Sequence, residues 1–303
     1  MLVYEIKPIK SQIITHYSFL CISKRFQVGT LCVRYSAKKW IRKKYWIKNI
    51  YKVYDLAFKN GIGAVMLNSN DRAKDICEYF RQNKSKYSDI VWYPSIPYPH
   101  KYANLVAEKG IFPAINEVIF SNNSAVGALS MIAKGGMAVL GKDPIKMMQM
   151  LIDAEVKMFK GLNVKVLFLQ NIITDLLLGY GTKDIFEAYC DYVRKKYKLI
   201  PGLITQNMPY LKQKLSEWGI EEVVICSSIN KIGYLMSPSV EAYVDTIRNN
   251  DSSKYQLMAM STLASGAISA PEAYEFINAL NIQSVVFGAS SERNIRETVS
   301  LIN

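Results

Sequence analysis

Short apolar runs rich in β-branched residues alternate with amphipathic segments along most of the chain. The runs are bounded by Gly, Pro, Asn or Asp, which is typical of buried strands. The segments between them repeat apolar residues at three- and four-residue spacing, as at Ile185, Ala188, Tyr189 and Tyr192, which predicts amphipathic helices. Eight runs predict eight strands, at residues 28–33, 63–67, 89–94, 164–169, 200–205, 223–227, 256–261 and 284–288.

This alternation predicts an α/β fold in which crossover helices join parallel strands. Eight strand–helix units predict a closed (β/α)₈ barrel of the TIM type, formed by a single domain over residues 1–303. An open, doubly wound sheet is the alternative, although no G-x-G-x-x-G follows the first strand to mark a dinucleotide site. Residues 1–26 are a candidate N-terminal extension, which either packs as an added strand or is loosely ordered.

A long excursion, residues 97–160, separates the third and fourth predicted strands. It is longer than one crossover helix needs, so it must hold two or more helices. Asp143 followed by Pro144 is a helix start signal, because Asp caps a helix and Pro is tolerated at its first position, and residues 147–159 are predicted to be helical. Excursions of this kind cover a barrel mouth or form the contact face of a homo-oligomer.

The composition is that of a folded protein without a membrane span. Hydrophobic residues make up 50% of the chain and charged residues 21%, and the apolar runs are much shorter than the roughly 20 residues that a spanning helix requires. Five scattered cysteines and two histidines form no CxxC or zinc-type spacing, so no metal site is expected. Unpaired cysteines of this kind fit a reducing, cytoplasmic location.

Net charge is +13, and residues 34–48 alternate basic and aromatic side chains. Lys and Arg could neutralise nucleic-acid phosphates while Trp40, Tyr45 and Trp46 stack on bases. An amphipathic helix with its aromatics on the barrel and its lysines in water explains the same pattern. Nucleic-acid binding requires the basic and aromatic side chains to share one exposed face.

The segments after the seventh and eighth predicted strands carry a pattern typical of phosphate binding. TIM barrels commonly hold a phosphate there on backbone N–H groups and a short helix N-terminus. Glycines allow close backbone approach, hydroxyls donate hydrogen bonds and an arginine adds charge. Helix capping is the alternative, by a capping box at 269–272 and by Ser290 or Ser291. The candidate phosphate-binding residues are Ser261, Thr262, Ser265, Gly266, Gly288, Ser290, Ser291 and Arg293.

Residues 281–297, Asn-Ile-Gln-Ser-Val-Val-Phe-Gly-Ala-Ser-Ser-Glu-Arg-Asn-Ile-Arg-Glu, resemble the closing strand and helix of aldo-keto reductases and the related potassium-channel β subunits. Asn60-Gly-Ile62 is also similar to that family. In the family this loop holds the adenosine phosphate of NADPH, so the resemblance implies that Ser290, Ser291, Arg293 and Asn294 face a cofactor such as NADP.

The sequence departs from that family where its catalytic residues stand. The family's catalytic Asp belongs near Met66 and its Tyr a few residues later, yet residues 65–72 read Val-Met-Leu-Asn-Ser-Asn-Asp-Arg. The resemblance therefore implies a barrel and a phosphate site, and it argues against standard carbonyl reduction.

Other candidate residues follow the remaining predicted strands. His100 could act as a general acid or base or bind an anion, and Lys231 could form a Schiff base if burial lowered its pKa. Glu117 and Asp175 are the nearest carboxylates, without the spacing of a catalytic pair. Uncharged residues could hold a polar ligand or satisfy loop backbone, namely Asn171, Thr205, Asn207, Ser227 and Asn230.

Three functional hypotheses remain at this stage. The first is an enzyme, a lyase, isomerase or oxidoreductase, that binds a phosphorylated small molecule or a nucleotide cofactor at the last two strand ends. The second is a non-catalytic barrel that serves as a binding or assembly subunit. The third is nucleic-acid binding through residues 34–48.

Overall fold

The computed structural model describes residues 2–5, 49–70, 72–98 and 143–302. The predicted strand at 28–33, the basic segment 34–48, His100, Glu117 and most of the long excursion lie outside these residues. The alternation of apolar runs and amphipathic segments in the described part forms alternating strands and helices.

Nine strands and nine helices make up the described part of the chain. The strands are β1 (Leu2–Glu5), β2 (Ala64–Asn68), β3 (Val91–Ile96), β4 (Asn163–Val164), β5 (Val166–Leu169), β6 (Ile200–Thr205), β7 (Val223–Ser228), β8 (Tyr255–Met260) and β9 (Ser284–Phe287). The helices are α1 (49–59), α2 (Ala73–Gln82), α3 (Pro144–Val156), α4 (Asn171–Gly179), α5 (Lys183–Tyr192), α6 (Met208–Trp218), α7 (Val240–Arg248), α8 (Ala270–Asn278) and α9 (Glu292–Leu301).

The strands form a TIM-type α/β barrel rather than an open sheet. Parallel pairing runs from β2 through β3, β5, β6, β7 and β8 to β9, with β4 extending the start of β5 along β3. β1 lies antiparallel between β9 and β2, so the pairing returns to its first strand. The predicted barrel is confirmed, and seven of the predicted strands lie within two residues of their observed bounds.

The barrel interior is filled by apolar side chains from alternate strand positions. Met66, Tyr93, Phe168 and Cys226 belong to this inner cluster, and all four are buried. Gly202 of β6 is paired with Phe168, and a Cβ at residue 202 would lie only 2.4 Å from the Phe168 ring. The missing side chain at position 202 therefore makes room for the ring.

The helices cover the outer faces of the strands and bury a second, larger core. The strand residues that alternate with the inner cluster, such as Leu167, Leu203 and Ile225, belong to this outer core. The predicted start of α3 is confirmed, because the Asp143 side chain accepts a hydrogen bond from the Lys146 backbone N–H and Pro144 opens the helix. No helix within the described ranges has both the length and the apolar character needed to cross a bilayer.

Candidate functional site

A layer of uncharged polar side chains lies above the apolar interior, at the C-terminal ends of the strands. Asn68 is the last residue of β2, Ser95 is the next-to-last residue of β3, and Gln170 follows β5. Each stands two residues beyond the inner-cluster side chain of its strand. The Gln170 amide Nε2 donates to Asn68 Oδ1 at 3.0 Å and to the Ser95 carbonyl at 3.3 Å. Because strand side chains alternate between faces, all three face into the barrel mouth.

Two hydroxyls in this layer are buried and have no hydrogen-bond partner among the residues that the structure describes. They are Ser95 Oγ and Ser228 Oγ, and both side chains have 0% exposure. Ser228 follows the inner-cluster residue Cys226 by two positions on β7, so it also faces inward. A buried hydroxyl without a partner is costly, and water or a ligand group at the mouth would satisfy it.

The sequence placed Thr205 and Ser227 in the pocket, whereas the structure has them on the outer face of the sheet. Ile204 and Cys226 are the inner-cluster residues of these strands, so their next neighbours point outward. Ser227 Oγ donates to the Thr205 carbonyl and lies 3.0 Å from the Tyr243 hydroxyl on α7. These contacts link β6 and β7 to each other and to the covering helix α7.

Asp175 on α4 fixes the turn that follows β6. Its carboxylate accepts a hydrogen bond from Thr205 Oγ1 and another from the Gln206 backbone N–H at 3.0 Å. Burial raises the pKa of Asp175, and the two hydrogen bonds that lower it only partly offset that effect. Asn207 caps α6, since its side chain accepts from the Tyr210 N–H, and Asn171 is the first residue of α4.

The loop after β7 does not supply the environment that a nucleophilic lysine needs. Lys231 is exposed and forms an ion pair with Glu272 at 2.9 Å, and this pair raises the pKa of the lysine instead of lowering it. Asn230 is buried and organises the loop, because its side chain accepts from the Tyr234 N–H and donates to the Tyr234 carbonyl.

The loop after β8 has an unusual backbone. Ser261, Ala264 and Ser265 have φ values of 54°, 46° and 60°, and Gly266 has 90°. Left-handed conformations at residues other than glycine cost on the order of 1–3 kcal/mol each and concentrate at functional sites. Ser265 and Gly266 are exposed at the tip of this loop, and Thr262 is buried beneath it.

The loop after β9 leads directly into α9. Gly288, Ser290, Arg293 and Asn294 are exposed, and Ser291 caps the helix by accepting a hydrogen bond from the Asn294 N–H at 3.3 Å. The predicted capping role of Ser291 is confirmed. The capping box at 269–272 is not formed, since the Ser269 side chain makes no capping bond and Glu272 pairs with Lys231.

The first turn of α9 carries both an ion-paired carboxylate and a cation outside any described ion pair. Glu292 pairs with Arg296 at 2.6 Å, so that carboxylate is neutralised within α9. Arg293 forms no ion pair with any residue that the structure describes. Because β8 and β9 are neighbours in the barrel, their two loops leave it side by side.

Sequence reasoning missed Asn68, Ser95 and Ser228 and chose Asn171 over Gln170. The signal that identifies them is the two-residue alternation counted from Met66, Tyr93, Phe168 and Cys226, once these are known to face inward. Across the described ranges, His, Cys, Asp and Glu side chains nowhere gather in a group of three that could hold a metal ion.

Comparisons with known proteins show the fold. No protein-family model and no curated protein sequence matches this chain. Among solved structures, the chain is similar to an aldo-keto reductase enzyme from a Medee basin deep-sea metagenome library, at 11% identity and a TM-score of 0.50, over 84% of this chain and 80% of that one. It is also similar to a putative 2,5-diketo-D-gluconic acid reductase B, at 10% identity and a TM-score of 0.51, over 84% and 78%. The barrel that the resemblance implied is therefore confirmed.

Proposed function

We propose that this barrel is an oxidoreductase-type enzyme that binds a phosphate-bearing small molecule, with NADP as the candidate cofactor, at the loops after β8 and β9. The observation that carries the proposal is the four left-handed residues within 261–266, on the loop that neighbours the start of α9. The reaction class follows the reductases whose barrels resemble this one. Fold likeness alone does not establish a reaction, so the ligand test comes first.

The donors at these loops match the chemistry of a phosphate. The first N–H groups of α9 lack partners inside the helix, and a helix N-terminus favours negative charge. Arg293 supplies a guanidinium that can hold two phosphate oxygens at once, and Ser290 supplies an exposed hydroxyl. Gly266 lets a ligand approach the backbone of the neighbouring loop.

These residues fit the phosphate end of NADP. In its reduced form, NADPH, the bound cofactor would supply a hydride to a carbonyl group and leave as NADP⁺. Ser290, Arg293 and Asn294 would hold the phosphate. The mouth layer would receive the other end, because Gln170 and Ser95 present amide and hydroxyl groups that can bond a carbonyl or carboxamide. No described residue of that layer carries a charge.

A thermal-shift screen tests the phosphate site. NADPH, NADH, FMN and simple sugar phosphates are added to the wild type and to a Ser290→Asp, Arg293→Glu variant. A ligand at about 100 times its Kd adds about 2.7 kcal/mol of stability. The matched control is Ser252→Asp, Arg248→Glu, which makes the same charge change at the opposite end of the barrel, before β8.

A shift that the first variant loses and the control keeps supports the site. The same shift in both variants, or no shift with any compound, contradicts it. Inorganic phosphate is added as a further probe, so that binding of the phosphate group alone is measured separately from binding of a nucleotide.

A non-catalytic binding or assembly subunit is the second candidate. The neutral mouth layer favours it, because Asn68, Ser95, Gln170 and Ser228 offer hydrogen bonds but no group that titrates near neutral pH. Binding of NADPH without a loss of its nicotinamide absorbance, across a panel of carbonyl compounds, would support this candidate. Turnover of any of those compounds would exclude it.

The proposed location is the cytoplasm, since the described cysteines, Cys77, Cys190 and Cys226, are free thiols. A homo-oligomer and nucleic-acid binding through residues 34–48 stay predictions from the sequence.

A further inference from the structure

We propose that a cleft between α4 and α6 binds a small organic ammonium ion, with the Asp175 carboxylate as its counter-charge. The cleft has a volume of about 320 Å³ and is lined by Asp175, Leu178, Gly179, Gln206, Tyr210 and Ser237, among others. This size lies at the lower end of the range for ligand sites, about 300–1,000 Å³, and suits a small molecule. The cleft adjoins β5 and β6, so the proposal is independent of the phosphate site on β8 and β9.

Asp175 is a half-buried carboxylate that pairs with no cation in the described ranges. None of the ion pairs in the described chain involves it, and its two partners, Thr205 Oγ1 and the Gln206 N–H, are uncharged donors. A carboxylate has about four lone-pair positions, so these two bonds leave room for a further donor. Anchoring the β6 turn and binding an ammonium group are therefore compatible roles for one side chain.

The other residues that line the cleft suit an apolar group attached to the ammonium ion. Leu178 is buried and Tyr210 is partly exposed, so the cleft offers an aliphatic surface and an aromatic ring. An aromatic face attracts a cation. Lys214 lies 5.6 Å from the centre of the Tyr210 ring, but it is paired with Glu217 at 2.7 Å, so this nearby cation is already neutralised.

The chain offers two variants that separate charge from shape. Asp175→Asn removes the charge, and its amide can still accept from the Gln206 N–H while donating to Thr205 Oγ1. Gly179→Leu fills the cleft: a Cβ at Gly179 meets nothing within 4 Å, and Gly179 is a helical residue of α4 without a positive φ. Asp184→Asn, on the exposed first turn of α5, is the matched charge control.

The test is a titration of the full-length protein with phenethylammonium chloride, followed by amide chemical shifts in NMR spectra. The neutral 2-phenylethanol is titrated in parallel. We expect saturable shifts at Gly179 and Gln206 of the wild type. Binding of phenethylammonium to Asp175→Asn, and binding of the alcohol to the wild type, should each be at least about tenfold weaker. Gly179→Leu should not bind the ammonium ion, and Asp184→Asn should bind it with wild-type affinity.

Three results would overturn the proposal. They are the absence of saturable shifts in the wild type up to about 10 mM ligand, equal affinity in the wild type and Asp175→Asn, and equal affinity for the alcohol. The spectra report whether each variant is folded, and Gly179→Leu tests the same cleft without touching the carboxylate.

Discussion

The contact between Phe168 and Gly202 forms the floor beneath the polar mouth layer, and Gly202→Ala tests it. The new Cβ would lie 2.4 Å from Phe168 Cδ1 and 2.6 Å from Cε1. Favourable carbon contacts need about 3.5–4.0 Å, so the ring must move by about 1 Å or more. The ring is fully buried and packs edge-on against Tyr93 at a centroid distance of 6.0 Å, so little free space is available.

The size of the effect follows from two opposing contributions. Overpacking of this kind costs about 1–3 kcal/mol, and the severity of the overlap favours the upper end. Replacing a strand glycine with alanine returns about 0.5–1 kcal/mol. We therefore expect Gly202→Ala to lower the free energy of unfolding by about 2 kcal/mol, measured by urea denaturation.

A double-mutant cycle shows whether the ring is the cause. In a Phe168→Leu background the obstructing ring is absent, so adding Gly202→Ala should cost less than about 0.5 kcal/mol. If the two substitutions are additive to within about 0.5 kcal/mol, the ring does not occupy the space above residue 202 and the described floor is refuted.

Three further predictions concern Gln170, Asp175 and Lys231. Gln170→Glu should lower the free energy of unfolding by about 1–3 kcal/mol, because an acceptor then faces Asn68 Oδ1 and the Ser95 carbonyl; unchanged urea unfolding would contradict this. The pKa of Asp175 is raised in the folded protein, so ionisation of this carboxyl group destabilises the fold. Its contribution to the free energy of unfolding is fully present below the ordinary pKa of 3.8 and is lost as the pH rises through the folded pKa. The Tm of Asp175→Asn minus the Tm of the wild type should therefore increase as the pH rises from 3.8 through the folded pKa, and a difference that stays constant with pH would exclude this effect. Lys231→Ala removes an exposed ion pair, so urea unfolding should be nearly unchanged and ligand-induced thermal shifts should persist; a loss of those shifts would restore Lys231 as a site residue.

The sequence predicts the barrel well because its signals are local. Strand runs, the Asp143–Pro144 start of α3 and the Ser291 cap of α9 each depend on a few neighbouring residues, and the structure confirms them. The predicted capping box at 269–272 is absent from the structure because Glu272 pairs with Lys231, which is distant in sequence. A local sequence pattern does not show that a distant residue will bind the same carboxylate.

The site was harder to predict because a strand signal does not say which face is inside. Both faces of these parallel strands are apolar, so their sequences lack the polar alternation that would fix the orientation. Ser227 and Ser228 are adjacent, yet Ser227 contacts the Tyr243 hydroxyl of α7 and Ser228 faces the barrel mouth. At the end of β5, Gln170 likewise bonds to Asn68 in the mouth layer, whereas the next residue, Asn171, begins α4.

The most direct test of the proposed function is a crystal structure of the full-length protein soaked with NADPH or with another phosphate compound that raises its Tm. We predict a phosphate bound between the loops after β8 and β9, within hydrogen-bond distance of Ser290 or the first N–H groups of α9, and contacted by Arg293. Density for the phosphate anywhere else on the barrel would contradict the proposed site.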